Sequence, residues 1–230
     1  MSLENPVILR TEQEQGSQPD HYYSGFNAEW LNNPEVLEKA KKFAEFYREK
    51  FDQIKLEVAD SEEALIHFTA DQGFVGIQNA EQPALENKSR FYDGGREKLE
   101  KLGINLDELD KNFGDNNCVV SIPLREFDKW TSSLSWLKLA AADVLNNVFV
   151  FKVPQKDIIL RDGKFVDEMF KLNIEGAEGS QVDDCKINYI KSTHSFDDKL
   201  FTEQSLMEAW VPRQISLKGA QTMHYSEENK

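Results

Sequence analysis

A histidine and a threonine share one side of a short apolar segment of the sequence. In ALIHFT, residues 64–69, a strand would point His67 and Thr69 to one side and Ile66 and Phe68 to the other. An imidazole and a hydroxyl on the same side can both hydrogen-bond a polar ligand. The pattern therefore predicts a strand with an apolar core side and a polar side that faces a cleft.

A glutamate near the C-terminal end lies in an apolar setting. Glu208 is part of LMEAWV, residues 206–211, and Trp210 follows it closely. An ionised carboxylate in apolar surroundings costs free energy unless partners compensate for the lost water. We therefore expect Glu208 to have a chemical use.

Several common catalytic motifs are absent from the sequence. It contains no GxxxxGK[ST] loop, no GxGxxG after a strand, no HExxH and no GxSxG. These absences exclude P-loop nucleotide hydrolysis, HExxH zinc proteolysis and the common esterase arrangement. Cys118 and Cys185 lie far apart without a CxxC pattern, which favours reduced thiols over a single disulfide bridge and indicates no metal site.

Two short patterns resemble the ADP-ribosyltransferase superfamily, in the histidine-bearing (H-Y-E-like) branch that includes diphtheria-toxin-like and DarT-like toxin domains. That branch has H-x-T or H-x-S on an apolar strand, followed by a helix with G-x-x-G-I, and this sequence has HFT at 67–69 and GFVGI at 73–77. Late in such domains a strand glutamate precedes a V-P-like turn, as in EAWVP at 208–212. The resemblance implies an α+β fold whose split, mainly antiparallel sheet holds NAD.

The resemblance also implies roles for individual residues. His67 would hydrogen-bond the ribose next to nicotinamide, the backbone of Phe68 would hold the carboxamide, and Thr69 would belong to the same NAD-binding segment. Glu208 would stabilise the oxocarbenium-like ribose while nicotinamide leaves, an electrostatic role that carboxylates also play in glycoside cleavage. His67 and Glu208 are therefore expected to be catalytic and to open into one pocket.

An aromatic side chain that stacks on nicotinamide is a further feature of these families. The segment SRFYDGG offers Phe91 and Tyr92, and we favour Tyr92 for NAD binding. Phe127 and Trp130 also lie between the two patterns and stay open as alternatives. The arginine-using branch, with its R–STS–ExE residues, fits less well because no ExE precedes Glu208.

The expected function is that of a toxin-like or effector-like ADP-ribosyltransferase that consumes NAD as its substrate. A protein acceptor is favoured over a nucleic acid, because a net charge of −14 disfavours contacts with phosphates. An NAD glycohydrolase or an RNA 2′-phosphotransferase of the same fold is an alternative. So is a non-enzymatic acidic binding or immunity protein, in which His67 would be structural and Glu208 would face solvent.

The elements that must position these residues follow from local patterns. Helices and strands mix without regular alternation, which predicts α+β with a mainly antiparallel sheet. Asn33-Pro34 begins a helix expected to reach residue 56, and Thr69 with Gln72 fits a capping box for a helix after the first strand. Strands are predicted at 64–69, 117–123, 147–154, 185–192 and within 204–212.

Composition divides the chain into four parts. Residues 1–20 are polar and predict a flexible arm, 21–59 a helical segment, 60–222 the catalytic domain and 223–230 a C-terminal tail. No apolar stretch approaches the ~20 residues that span a bilayer, and the N-terminus lacks the basic and apolar regions of a Sec signal. We therefore expect a cytoplasmic protein, in its own or in a target cell, without a membrane partner.

Overall fold

The computed structural model describes Glu29 and residues 32–54, 56–85, 89–90, 117–177, 179–196 and 202–226. Tyr92, Phe91 and the predicted arm at 1–20 lie outside the described residues. Within the described ranges the chain forms an α+β fold with a mainly antiparallel sheet, as predicted.

The helix that begins at Pro34 confirms its predicted start. The Asn33 side chain accepts a hydrogen bond from the Glu35 backbone N–H at 2.9 Å, and Pro34 occupies the first turn, where its missing N–H has no cost. This helix ends about one turn earlier than expected. The described helices are α1 Pro34–Asp52, α2 Asp71–Gln78, α3 Phe127–Trp130, α4 Leu134–Ala141, α5 Lys164–Ile174 and α6 Ser180–Lys191.

The strands form one large sheet and one small pair. They are β1 Glu62–Thr69, β2 Ala84–Leu85, β3 Ser89–Arg90, β4 Asn117–Pro123, β5 Asn147–Pro154, β6 Ile159–Asp162, β7 His194–Ser195, β8 Met207–Val211, β9 Ile215–Ser216 and β10 Gln221–His224. The large sheet has the order β10-β5-β1-β4-β8-β6-β7, with β3 also paired to β4, while β2 pairs with β9. Each of the described strand pairs is antiparallel.

In the large sheet, β1 and β4 pair over only part of their length. Along its whole length β1 pairs with β5, but among the described residues it pairs with β4 only through Leu65↔Pro123 and Ile66↔Ile122. Beyond Ile66 the two strands are no longer partners, although β4 continues to pair with β8 on its other side. We call this separation the β1–β4 gap. On β1 the gap begins at His67, and on β4 the residues opposite are Val120 and Ser121.

Helices and loops cover both faces of the sheet. One face packs against α1, α3 and α4, and its core includes the fully buried rings of Phe43, Tyr47 and Trp136. The other face packs against α2, through Phe74 and Ile77, and against the segment that contains β9.

Two contacts cross the predicted domain boundaries. Helix α1 shares an apolar core with β1 and β5, so the predicted segment 21–59 packs against the predicted domain 60–222. Strand β10 extends to His224, so the boundary at residue 222 falls inside a strand.

Two local predictions were wrong. Residues 185–192, predicted as a strand, lie almost wholly in helix α6, whose buried residues Cys185, Tyr189 and Ile190 have helical spacing. The capping box is also absent, because α2 starts after Ala70 and has no side-chain cap. Thr69 is one residue too early to cap the helix.

Candidate functional site

His67 lies at the start of the β1–β4 gap, where its imidazole takes the place of a backbone partner. Its Nδ1 is 2.9 Å from the backbone oxygen of Val120. A carbonyl oxygen only accepts, so Nδ1 carries the hydrogen and donates it. Burial lowers the pKa of His67, and the hydrogen bond to Val120 opposes this only in part. The neutral ring then has Nε2 as a hydrogen-bond acceptor.

Ser121 places a buried hydroxyl beside the same gap. It is 3% exposed, and its Oγ has no hydrogen-bond partner among the residues that the structure describes. Strand alternation points Ser121 to the same face as His67, because Ile122 and Ile66 are paired and share the opposite face. A buried hydroxyl without a partner is uncommon and calls for an explanation, such as a bound polar molecule. The sequence reasoning missed Ser121, since a lone serine in a strand carries no signal.

Thr69 ends β1 in close contact with the next helix. A Cβ atom added to Gly73 would lie 2.5 Å from the Thr69 Oγ1 atom, so only glycine allows this approach. The H-x-T and glycine patterns are therefore linked by packing between the strand end and helix α2. Thr69 Oγ1 also lies 3.5 Å from the Ala70 backbone oxygen.

A row of polar side chains fixes the end of β1 to its neighbours. Asn147 on β5 is fully buried, and its Nδ2 donates to Asp71 Oδ1 at 2.7 Å. The Asn147 Oδ1 atom lies 2.7 Å from Nδ1 of His224 on β10. These contacts stabilise the junction where β1 turns into α2, immediately after the His67 segment. No local sequence pattern predicts this row, because its members are far apart along the chain.

Glu208 is buried, as its apolar sequence setting indicated. It is 9% exposed, and its Oε2 accepts hydrogen bonds from the Tyr189 hydroxyl and from Trp210 Nε1, the latter at 3.2 Å. Both bonds fall on the same oxygen, and Oε1 accepts none from the described residues. The carboxylate is therefore anchored at one oxygen and available at the other.

Charge and burial compete at this carboxylate. Burial raises the pKa of Glu208, while the hydrogen bonds from Tyr189 and Trp210 and the positive charge of Arg161 work in the opposite direction. Arg161 is the β6 partner of Glu208 in the strand register. Its Nε donates to Thr193 Oγ1 at 3.0 Å, and its guanidinium carbon is 4.3 Å from the centre of the Trp210 ring. Arg161, Tyr189 and Thr193 were not identified from the sequence.

His67 and Glu208 do not contact each other. They lie on β1 and β8, and β4 runs between these strands. Alternation points Glu208 to the face of Trp210 and Val120, which is the face opposite to that of His67. The structure therefore does not bring the two side chains together on one face, contrary to the geometry expected for a shared pocket.

The other aromatic candidates have structural roles. Phe68 points into the core, where its ring lies 5.3 Å from Tyr47 and 5.5 Å from Trp136, so only its backbone can serve a ligand. Phe127 and Trp130 are both buried, and Trp130 Nε1 donates to the Met207 backbone oxygen at 2.9 Å. Neither ring is available to stack on nicotinamide.

Within the described ranges no group of three or more His, Cys, Asp and Glu side chains could hold a metal ion, and no helix has the length and apolar character needed to cross a bilayer. Neither Cys118 nor Cys185 forms a disulfide, and both are buried. No protein-family model, curated protein or solved structure matches this chain.

Proposed function

We propose that this protein is an NAD-dependent ADP-ribosyltransferase that cleaves the nicotinamide–ribose bond and transfers ADP-ribose to a macromolecular acceptor, with a protein favoured. The observation that carries this proposal is the β1–β4 gap, because strand pairing stops at His67. The resemblance of the sequence to ADP-ribosyltransferases implies NAD binding at a split sheet beside this histidine. The unpartnered Ser121 hydroxyl at the same place supports a polar ligand there.

His67 is suited to bind a ribose hydroxyl. Its Nδ1 hydrogen is used by Val120, and burial favours the neutral ring, so Nε2 can accept a hydrogen bond. A fixed tautomer also gives the ring a fixed orientation. In this proposal His67 binds the substrate in its ground state, and the backbone of Phe68 and the Thr69 segment bind beside it.

Glu208 is suited to stabilise positive charge. In the reaction the bond from ribose C1′ to nicotinamide breaks, nicotinamide leaves with the electron pair, and the acceptor attacks C1′ and gives up a proton. An anchored carboxylate stabilises the developing ribosyl cation better than a mobile one, because it needs no reorganisation during the reaction. Glu208 has one oxygen held by Tyr189 and Trp210 and the other available for this purpose.

The two residues act from opposite faces of the sheet in this proposal. In this proposal the ligand enters the β1–β4 gap, where the described strands do not pair, and extends from there toward both faces of the sheet. Neighbouring strands are ~4.8 Å apart, so only one strand spacing separates the gap from β8. The substrate would therefore lie in the gap beyond the last β1–β4 pair. From there it would reach His67 on one face of the sheet and Glu208 on the other.

A second candidate is a non-enzymatic acidic binding protein. The net charge of −14 supports it, because such a charge attracts a basic partner. The burial of Glu208 argues against it, because the binding protein needs no anchored internal carboxylate.

The first test is release of nicotinamide from NAD by the purified protein. We expect release by the wild type, a strong decrease in His67→Ala, and unchanged release in the control His194→Ala, which alters β7 at the far edge of the sheet. Labelled NAD then distinguishes transfer to an acceptor from hydrolysis to free ADP-ribose. No release by the wild type, with or without added acceptor proteins, would contradict the proposal and favour the binding protein.

A further inference from the structure

We infer that Tyr189 on helix α6 is a positioning residue that orients the Glu208 carboxylate, an inference that rests on the proposed function. The phenol and the carboxylate are both buried, and the Tyr189 hydroxyl donates to Oε2. Tyr189 thus links a helix that packs on the sheet to the residue proposed to stabilise the ribosyl cation.

The Tyr189 hydroxyl is held in its donating form. Burial and the neighbouring Glu208 charge raise the pKa of Tyr189 well above its usual value. The phenol therefore keeps its hydrogen at every pH at which the protein is handled. It donates to one carboxylate oxygen and leaves Oε1 for the substrate.

Other side chains also act on the Glu208 carboxylate, and they lie close to Tyr189. Trp210 donates to the same oxygen at 3.2 Å, and its ring meets the Tyr189 ring edge-on at a centroid distance of 6.4 Å. Arg161 adds a positive charge, held by Thr193 immediately after α6, with its guanidinium carbon 5.7 Å from the centre of the Tyr189 ring. Asp167 on α5 is the acidic group that acts against the charged form of Glu208. Arg161 and Asp167 are thus the charged groups that act on Glu208, with opposite effects on its pKa, while Tyr189 and Trp210 act through hydrogen bonds.

The decisive variant is Tyr189→Phe, which keeps the ring and removes the hydroxyl. We expect kcat for NAD cleavage to fall about 10- to 100-fold, the range for losing one hydrogen bond to a charged group, with little change in KM. The acid limb of the kcat profile should move to higher pH, because the lost bond favoured the ionised carboxylate. The matched control is Tyr47→Phe, which removes another buried hydroxyl, one that donates to the Leu145 backbone oxygen. The control should keep both kcat and the pH profile.

A direct titration separates this inference from the proposed function. The Glu208 carboxyl carbon is followed by NMR in uniformly labelled protein and assigned with Glu208→Gln. We expect Tyr189→Phe to raise its titration midpoint, whether or not the protein consumes NAD. An unchanged midpoint together with unchanged kinetics would overturn the role of Tyr189, while the activity of the wild type would still support the transferase.

A measurement on the wild type covers the case in which Tyr189→Phe does not fold. The Cζ resonance of Tyr189 should shift with pH at the same midpoint as the Glu208 carboxyl, and this shift should be lost in Glu208→Gln. A Tyr189 resonance that does not follow the Glu208 titration would overturn the inference without any variant at position 189.

Discussion

Burial shifts the pKa of His67 and the pKa of Glu208 in opposite directions, because one side chain is a cation and the other an anion when charged. Burial favours the neutral form of each, so it lowers the pKa of the imidazole and raises the pKa of the carboxyl. His67 then serves as a neutral hydrogen-bonding group, while Glu208 depends on Tyr189, Trp210 and Arg161 to ionise. The apolar sequence around Glu208 agrees with its burial, but Arg161 on β6 and Tyr189 on α6 are distant from it along the chain and could not be predicted from local sequence.

At the residue scale we predict acid sensitivity that originates at His67. The folded state keeps the imidazole neutral below the ordinary histidine pKa of about 6.5, whereas the unfolded chain binds a proton there. The stability that His67 contributes is therefore present above this pH and is lost as pH falls through the lowered pKa, by at most about 1.4 kcal/mol per pH unit.

Urea unfolding of the wild type and His67→Gln over this pH range measures the effect. Glutamine does not titrate, so the free energy of unfolding of the wild type should fall relative to the variant as the solution is acidified. Parallel pH dependences for the two proteins would show that the imidazole is not held neutral by the fold.

Helices and strands were predictable where one local pattern dominated. Alternation predicted β1 and β5, and the Asn33-Pro34 cap predicted the start of α1. Residues 185–192 contain several β-formers, yet all but Ser192 lie in helix α6, where Cys185, Tyr189 and Ile190 are buried at helical spacing. Tertiary packing decided this element, and local propensity did not indicate it.

At the element scale we predict that the two glycines of α2 respond differently to alanine. A Cβ on Gly76 meets no atom within 4 Å, so Gly76→Ala should stabilise the protein by roughly 0.5–1 kcal/mol through helix propensity. A Cβ on Gly73 meets Thr69 Oγ1 at 2.5 Å, so Gly73→Ala should be less stable than Gly76→Ala.

Thermal and urea unfolding of both variants test this pair, with Gly76→Ala as the matched control. Adding Thr69→Ala to Gly73→Ala removes the clashing oxygen and should reduce the difference between the two glycine positions. Equal stabilisation by both single variants would show that α2 is not pressed against the end of β1.

At the scale of the whole molecule, the described residues form one large sheet in which β1 and β4 separate, a small strand pair, and helices on both faces of the large sheet. The general α+β class followed from the sequence, because irregular mixing of strands and helices excludes a regular parallel sheet. The sequence did not predict the β1–β4 gap, nor that the side chains of His67 and Glu208 point to opposite faces. Both features depend on the register of β4 with β1 and with β8. In the proposed reaction, one NAD molecule contacts residues from both halves of this sheet.

The most direct test of this claim compares NAD turnover with NAD affinity in Glu208→Gln. The variant keeps the size of the side chain and removes its charge, so we predict that kcat falls by roughly 10²–10³ while the Kd for NAD, measured by calorimetry, changes little. Glu203→Gln, at an exposed glutamate on the segment before β8, is the matched control and should behave as the wild type. Wild-type turnover in Glu208→Gln would contradict the account, because the buried carboxylate would then have no part in the chemistry.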